Sequence, residues 1–112
     1  MAKENIDFAE VLNNYPGVKA EKYHWRDMQH QDHEMNRMDL AYLVNARNEI
    51  FQFIEGRSSD TQEYALIKNK VAEFDKAIAL LEKHTAGKAS QVRLSSSLVD
   101  FGFSKVSDID NA

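Results

Sequence analysis

The apolar residues between positions 61 and 85 recur at alternating steps of three and four, and no other feature of the chain constrains its fold as strongly. Such a repeat places its members on one face of an α-helix, as the a and d positions of a heptad do. Asp60 with Glu63 has the spacing of an N-terminal cap, and Gly87 is a natural terminator. The sequence therefore predicts a helix over about 61–85, whose buried face carries Tyr64, Ile67, Val71, Phe74, Ile78 and Leu81.

The segment before this helix predicts a second long helix, over about 20–55. No proline or glycine occurs from Val18 to Glu55, and the second half of this stretch has a wide apolar face. A short polar loop at 56–60, opened by Gly56, joins the two helices. Because a connection this short brings consecutive helices side by side, we expect an antiparallel two-helix hairpin.

The two ends of the chain predict smaller elements around this hairpin. Asp7 with Glu10 has the spacing of a capping box and predicts a short helix at about 7–14, which ends before the following proline–glycine pair. Residues 88–112 are rich in serine but also contain many apolar side chains. They predict an extended C-terminal arm, with room for one short helix, that docks on another surface. The expected fold is all-α, with a helical hairpin domain over 1–87 and a docking arm over 88–112.

Composition and charge narrow the classes of partner. The chain has 112 residues, no cysteine and a net charge of −4, so disulfides, thiolate metal sites and thiol nucleophiles are excluded. Because basic and acidic residues are interleaved, a nucleic acid is an unfavourable partner. No apolar run approaches the roughly 20 residues of a membrane span, and the N-terminus lacks the apolar core of a signal peptide. We therefore expect a protein partner and a cytoplasmic location, which for a viral protein means the host cytoplasm or the virion.

One polar stretch contains residue types that bind metals. On a helix, Asp27, His30 and Glu34 would fall within about 60° of one another, with His33 on the flank of His30. Imidazole and carboxylate groups in such an arrangement are donors for a divalent cation. The competing interpretation, which we favour, is a solvated or interfacial polar surface, because these spacings often arise by chance in helices. We therefore expect no cofactor.

Five residues are candidates for contacts with a partner, namely Trp25, Arg47, Leu98, Phe101 and Phe103. Trp25 would be an aromatic anchor at an interface, or would pack on the short first helix. Arg47 lies among apolar residues, where an unpaired charge would be costly, so we expect it to pair across an interface. Phe101 and Phe103 flank a glycine and, with Leu98, form either a recognition element or a segment that folds back over the hairpin.

The sequence favours a structural role over catalysis. It contains no nucleophile elbow, no His-Glu-x-x-His motif and no glycine-rich phosphate loop. A lone helical hairpin would expose apolar surface on its flanks, and self-association would cover that surface. We predict a non-enzymatic structural or assembly protein whose hairpins and C-terminal arm join copies in a homo-oligomer or a larger assembly. Its composition is similar to that of small structural or accessory proteins of bacteriophages.

Two alternatives stay open. The first is a small inhibitor or adaptor that binds a host protein or a protein complex through Trp25 and the C-terminal aromatic residues. The second is a helical metal-binding protein that uses the histidine-rich stretch.

Overall fold

The computed structural model describes residues 6–112 and is mostly helical. Within these residues the helices are α1 (Phe8–Asn14), α2 (Leu40–Phe51), α3 (Gln62–Thr85), α4 (Ser90–Ser95) and α5 (Val106–Asp110). Two antiparallel strands, β1 (His24–Arg26) and β2 (Asp32–Glu34), form a small hairpin. Three 3₁₀ turns lie between these elements, at Pro16–Lys19, Met35–Arg37 and Leu98–Phe101. The fold is therefore mainly helical, with a β-hairpin inserted before α2.

α1 and α3 lie where their caps and apolar repeats place them. The Asp7 carboxylate accepts hydrogen bonds from two backbone N–H groups of α1. The cap of α3 lies one residue later than predicted, at Thr61 instead of Asp60, because the Thr61 hydroxyl accepts from the Tyr64 N–H at 3.2 Å. A side-chain oxygen at this position satisfies a backbone donor that the first turn leaves free. Local patterns therefore determine both helices.

The predicted helix over 20–55 is wrong in its first half, where residues 24–34 form the β-hairpin. Tyr23 and His30 have φ angles of 61° and 64°, a left-handed backbone that cannot continue a right-handed helix. The Asp27 carboxylate accepts two backbone N–H bonds within the turn, which competes with helical hydrogen bonding. The lack of proline and glycine in this segment therefore did not make it helical.

α2 begins only at Leu40 because Asp39 caps it. The Asp39 carboxylate accepts from the Tyr42 N–H at 2.8 Å, and the Asp39 backbone is extended. α2 ends at Phe51, and the following turns lead to Gly56, whose φ is 68°. α2 and α3 then pack against each other.

The core joins α2 and α3 to the rest of the described chain. Apolar side chains with no exposed surface are Met35, Leu43, Ile50, Ile67, Phe74, Ala77, Leu81, Leu98 and Ile109. Burying each large apolar side chain contributes about 1.5–3 kcal/mol relative to leaving it in water. Because this set includes residues from the C-terminal segment, that segment contributes to the same core.

The C-terminal segment folds back onto the helices, so the predicted extended shape of the arm is wrong. It contains α4, a 3₁₀ turn and α5, where one short helix was expected. The Ser96 carbonyl accepts from the Leu40 N–H at 3.1 Å, and the Asn36 amide donates to the Phe103 carbonyl at 2.9 Å. These bonds and the buried side chain of Leu98 place the segment beside α2 and α3.

Candidate functional site

Two histidine–aspartate pairs lie on the β-hairpin. His24 Nδ1 is 2.8 Å from Asp32 Oδ2, and His33 Nε2 is 2.9 Å from Asp27 Oδ2. Each pair joins a residue on one side of the hairpin turn to a residue on the other side. These side chains therefore tie the two strands together.

Asp27 also organises the turn of the hairpin. Its Oδ1 accepts from the backbone N–H groups of Gln29 and Gln31, each at 2.9 Å. The hydrogen bond with His33, and after it the bond from Gln31, holds the pKa of the Asp27 carboxyl below its usual range. The ionised carboxylate is therefore the form that stabilises the turn.

The four metal-ligand candidates do not share a helical face, because their segment is a hairpin. His30 is exposed in the turn, Asp27 bonds to His33, and Glu34 accepts from Arg37 Nε at 3.1 Å. Within residues 6–112, no three His, Asp or Glu side chains form a group that could hold a metal ion. The helical arrangement on which the metal hypothesis was built is not the one this segment adopts.

Trp25 packs inside the molecule, with 6% of its surface exposed. Its ring meets Phe74 of α3 edge-on, with ring centroids 5.3 Å apart. Gly17 leaves room for the indole, because a Cβ there would overlap the ring and lie 2.6 Å from the Arg26 carbonyl oxygen. Trp25 therefore anchors the β-hairpin to the core through Phe74 of α3.

Lys70 of α3 holds the chain that enters the hairpin, although it is only 2% exposed. Its ammonium donates to Glu73 Oε1 at 2.7 Å, and Glu73 Oε1 also accepts from the Tyr23 N–H at 2.8 Å. The same ammonium lies 3.0–3.2 Å from three backbone carbonyl oxygens, those of Ala20, Glu21 and His24, so one of its three N–H groups is shared between two acceptors. Our sequence reasoning missed Lys70, although its register places it on the apolar face of α3.

Arg47 has its partners within the chain. Its Nε donates to Asp75 Oδ1 of α3 at 2.9 Å, and its Nη1 donates to Asn48 Oδ1 at 3.1 Å. The guanidinium carbon also lies 4.1 Å from the centroid of the Phe51 ring. The charge of Arg47 is therefore compensated without a second chain.

The C-terminal candidates also make contacts within the chain. Leu98 is fully buried. Phe101 and Phe103 are half-buried and pack on His84 near the end of α3, each with ring centroids 5.4 Å apart. In this structure the segment folds back over the helices, which is one of the two interpretations that the sequence left open.

α4 presents two exposed apolar side chains that sequence reasoning did not single out. Val92 and Leu94 are each 49% exposed, on either side of Arg93 in the chain. We call Val92, Arg93 and Leu94 the α4 ridge, in which Val92 and Leu94 lie on opposite flanks of the helix with Arg93 between them. Arg93 Nη2 lies 3.9 Å from Glu82 Oε2, which ties the ridge to the C-terminal part of α3. The signal for this surface in the sequence was a pair of apolar residues around an arginine in a serine-rich segment.

A concave surface, which we call the hairpin cleft, lies between the β-hairpin and α2 and has a volume of about 300 Å³. Met28, in the hairpin turn, is 59% exposed. Burial raises the pKa of the Tyr42 phenol, so this hydroxyl stays protonated near neutral pH. The cleft is lined by Tyr15, Pro16, Trp25, Arg26, Asp27, Met28, Tyr42, Asn45, Ala46 and Glu49.

A second concave surface, which we call the α1 groove, has a volume of about 250 Å³ and shares Tyr15 with the hairpin cleft. The Tyr15 hydroxyl donates to Glu49 Oε2 at 3.0 Å, and burial together with this bond raises its pKa. The groove combines apolar side chains with two exposed carboxylates, those of Asp7 and Glu10. Its lining residues are Ile6, Asp7, Glu10, Val11, Asn14, Tyr15 and Phe53.

No family model, curated protein or solved structure matches the chain significantly. None of the helices in residues 6–112 has both the length and the apolar character needed to cross a bilayer. The surfaces of the molecule are therefore the features from which a function can be inferred.

Proposed function

We propose that the protein is a non-enzymatic assembly protein whose copies bind one another. The observation that carries this proposal is the α4 ridge, where Val92 and Leu94 each leave about half of their surface in water. Most large apolar residues of the described chain are buried or packed against the core, so this pair is a candidate contact rather than part of the fold. A structural or accessory role in a bacteriophage is a finer form of the proposal and rests on composition.

The fixed position of the ridge supports a binding role. α4 contacts both α2 and α3, and the Ser96 carbonyl at its end accepts from the Leu40 N–H. A rigid element loses little conformational entropy when it binds. Val92 and Leu94 are therefore presented in a form that is ready for a partner.

The polar groups of the β-hairpin support the non-enzymatic part of the proposal. His24 and His33 each bond to an aspartate across the hairpin turn, and Asp27 also accepts two backbone bonds there. These residue types often carry acid–base chemistry, but here their contacts account for the shape of the hairpin.

The test is the solution mass, measured by light scattering on a sizing column over a range of protein concentrations. We expect a mass above that of the monomer and a lower mass for the variant Val92→Ser/Leu94→Ser. Ala72→Ser, an exposed change in the middle of α3, is the matched control and should keep the wild-type mass. A wild-type protein that stays monomeric at every concentration would overturn the proposal.

A second candidate function is an inhibitor or adaptor that binds one other protein, and the hairpin cleft is the observation that favours it. The cleft combines aromatic walls with the exposed side chain of Met28, and methionine suits adaptable contacts. A monomer in solution would favour this candidate. The same column run with EDTA tests the metal-binding alternative, which predicts that mass or thermal stability falls on chelation.

A further inference from the structure

We propose that the hairpin cleft binds a small organic cation, an ammonium ion attached to an apolar or aromatic group. This site is independent of self-association, because the cleft and the α4 ridge are separate surfaces. The rings that line the cleft, the contacts that hold them and the charges around them support this assignment.

The walls of the cleft have the composition of a ligand site. Three aromatic side chains, those of Tyr15, Trp25 and Tyr42, line it together with the thioether of Met28. Its volume of about 300 Å³ lies at the lower end of the range of small-molecule pockets. Aromatic rings offer apolar surface to a ligand, and their faces attract cations. The cleft therefore suits a compact ligand that combines an apolar group with a positive charge.

Each of these three rings is held in place by a second ring, with centroids 5.3–5.5 Å apart. The pairs are Tyr15 with Phe53, Trp25 with Phe74, and Tyr42 with His33. Walls that are fixed before a ligand arrives lose little conformational entropy when it binds. The cleft is therefore preformed, and Met28, which is 59% exposed, is the flexible side chain that can adjust to a ligand.

The ionisable residues that line the cleft are Arg26, Asp27 and Glu49, which together carry a net charge of −1. The Asp27 carboxylate is bonded to His33 and to the backbone of the hairpin turn. Within residues 6–112, the exposed carboxylate of Glu49 takes part in no ion pair and accepts one hydrogen bond, from the Tyr15 hydroxyl. Glu49 is therefore the carboxylate that remains available for a ligand cation.

The negative charge of the carboxylates reaches both phenols of the cleft. After burial, which is the largest cause in each case, Glu49 raises the pKa of Tyr15 and Asp27 raises the pKa of Tyr42. Arg26 lowers neither pKa, so its charge does not offset the carboxylates at these hydroxyls. A ligand cation near the phenols would therefore meet a negative field.

An NMR titration of the full chain tests this site with three probes that share a phenyl ring. Phenethylamine is the cation, phenethyl alcohol is neutral and hydrocinnamate is an anion. Trp25 is the single tryptophan, so its indole N–H and the Met28 methyl group report on the cleft. We expect the amine to shift both signals saturably, with a dissociation constant of about 1 mM or lower, and to bind about fivefold or more tightly than the other probes. An amine that shifts neither signal, or that binds no more tightly than the alcohol, would overturn the proposal.

Two pairs of variants identify the groups that recognise the cation. Glu49→Gln removes the charge but keeps an acceptor for the Tyr15 hydroxyl, and it should weaken amine binding about threefold or more without changing alcohol binding. Glu55→Gln, the same change at an exposed position outside the cleft, is the matched control and should leave both affinities unchanged. Tyr42→Leu should weaken the binding of the amine, whereas Tyr42→Phe, which keeps the ring, should retain most of it. Equal affinities in Glu49→Gln and Glu55→Gln would contradict the proposed role of Glu49.

A lysine of a protein partner carries the same ammonium group, and N-acetyl-lysinamide is the probe for that source. We expect it to bind more weakly than phenethylamine, because it has no ring to pack against the aromatic walls. Equal or tighter binding would overturn the assignment to a small amine and indicate a lysine of a partner. Light scattering measures the mass of the protein without any amine, so the test of self-association is separate from this one.

Discussion

Replacing Lys70 with methionine should destabilise the protein more than any surface change, because it leaves the largely buried carboxylate of Glu73 without its cation. Lys70 is 2% exposed, and the Glu73 side chain beside it is 17% exposed. Removing one partner of a buried ion pair typically costs about 3–5 kcal/mol. Three backbone carbonyls at the entrance to the hairpin would also lose their donor. Since small domains have only about 5–15 kcal/mol of stability, a loss of this size is a large and measurable fraction of the total.

Urea denaturation with two probes measures this effect and locates it. The chain has a single tryptophan, Trp25, which lies in β1 just after the segment that Lys70 holds. In Lys70→Met we expect Trp25 fluorescence to change at a lower urea concentration than the helical circular dichroism, because the hairpin loosens first. The double variant Lys70→Met/Glu73→Gln should regain about 1–3 kcal/mol, since it removes the unpaired charge but keeps an acceptor for the Tyr23 N–H. A loss below about 0.5 kcal/mol in the single variant would refute the reasoning, because changes at neutral surface positions are of that size.

Three further predictions concern the hairpin and the C-terminal segment. Gly17→Ala should cost about 1–3 kcal/mol in thermal or urea unfolding, because the new Cβ overlaps the Trp25 ring; an unchanged stability would contradict this packing. Because the folded-state pKa of the Asp27 carboxyl is lowered, this group stabilises the folded protein. Its contribution to the free energy of unfolding is fully present above the ordinary pKa of 3.8 and is lost as the pH falls through the folded-state pKa. The stability difference between wild type and Asp27→Asn should therefore shrink on acidification, and a difference that stays constant with pH would exclude this linkage. Leu98→Ala should cost about 2–5 kcal/mol, because the side chain is fully buried, whereas a separate docking arm would lose almost nothing.

α1 and α3 were predictable because local patterns specify them. The apolar repeat of α3 fixes its buried face, and its C-terminal limit agrees with the expected glycine, Gly87, which has a φ of 82°. The N-terminal cap was predicted at Asp60 but lies at Thr61, because neighbouring residues with similar side chains can both cap a helix. Such signals need no knowledge of the rest of the fold.

The β-hairpin was not predictable from the same signals. Its turn contains neither glycine nor proline, and His30 adopts the left-handed conformation that glycine usually supplies. Its strands are three residues long, too short to show an alternating pattern. What stabilises them is distant in sequence, since Trp25 packs on Phe74 and the segment before β1 bonds to Lys70. Non-local contacts of this kind override a weak helical preference.

The candidate surfaces show the same division between local and non-local information. The sequence identified Trp25, Arg47 and Leu98 by residue type, but residue type cannot show whether the chain itself supplies the partner. Here Phe74, Asp75 and the apolar core supply those partners. The α4 ridge was missed for the converse reason, because Val92 and Leu94 resemble the buried residues around them until the fold shows that they are exposed.

If different residues stabilise the fold and join the copies, then stability and assembly should respond to different substitutions. Lys70 acts on the β-hairpin, whereas Val92 and Leu94 lie on α4. Lys70→Met should therefore unfold at lower urea but, without denaturant, should keep the wild-type mass. Val92→Ser/Leu94→Ser should show the reverse, a lower mass with little change in the unfolding of the monomer, because each side chain leaves about half of its surface in water. If Lys70→Met lowers the mass as much as Val92→Ser/Leu94→Ser, then the hairpin itself takes part in the contact between copies, and the hairpin cleft becomes the surface to test next.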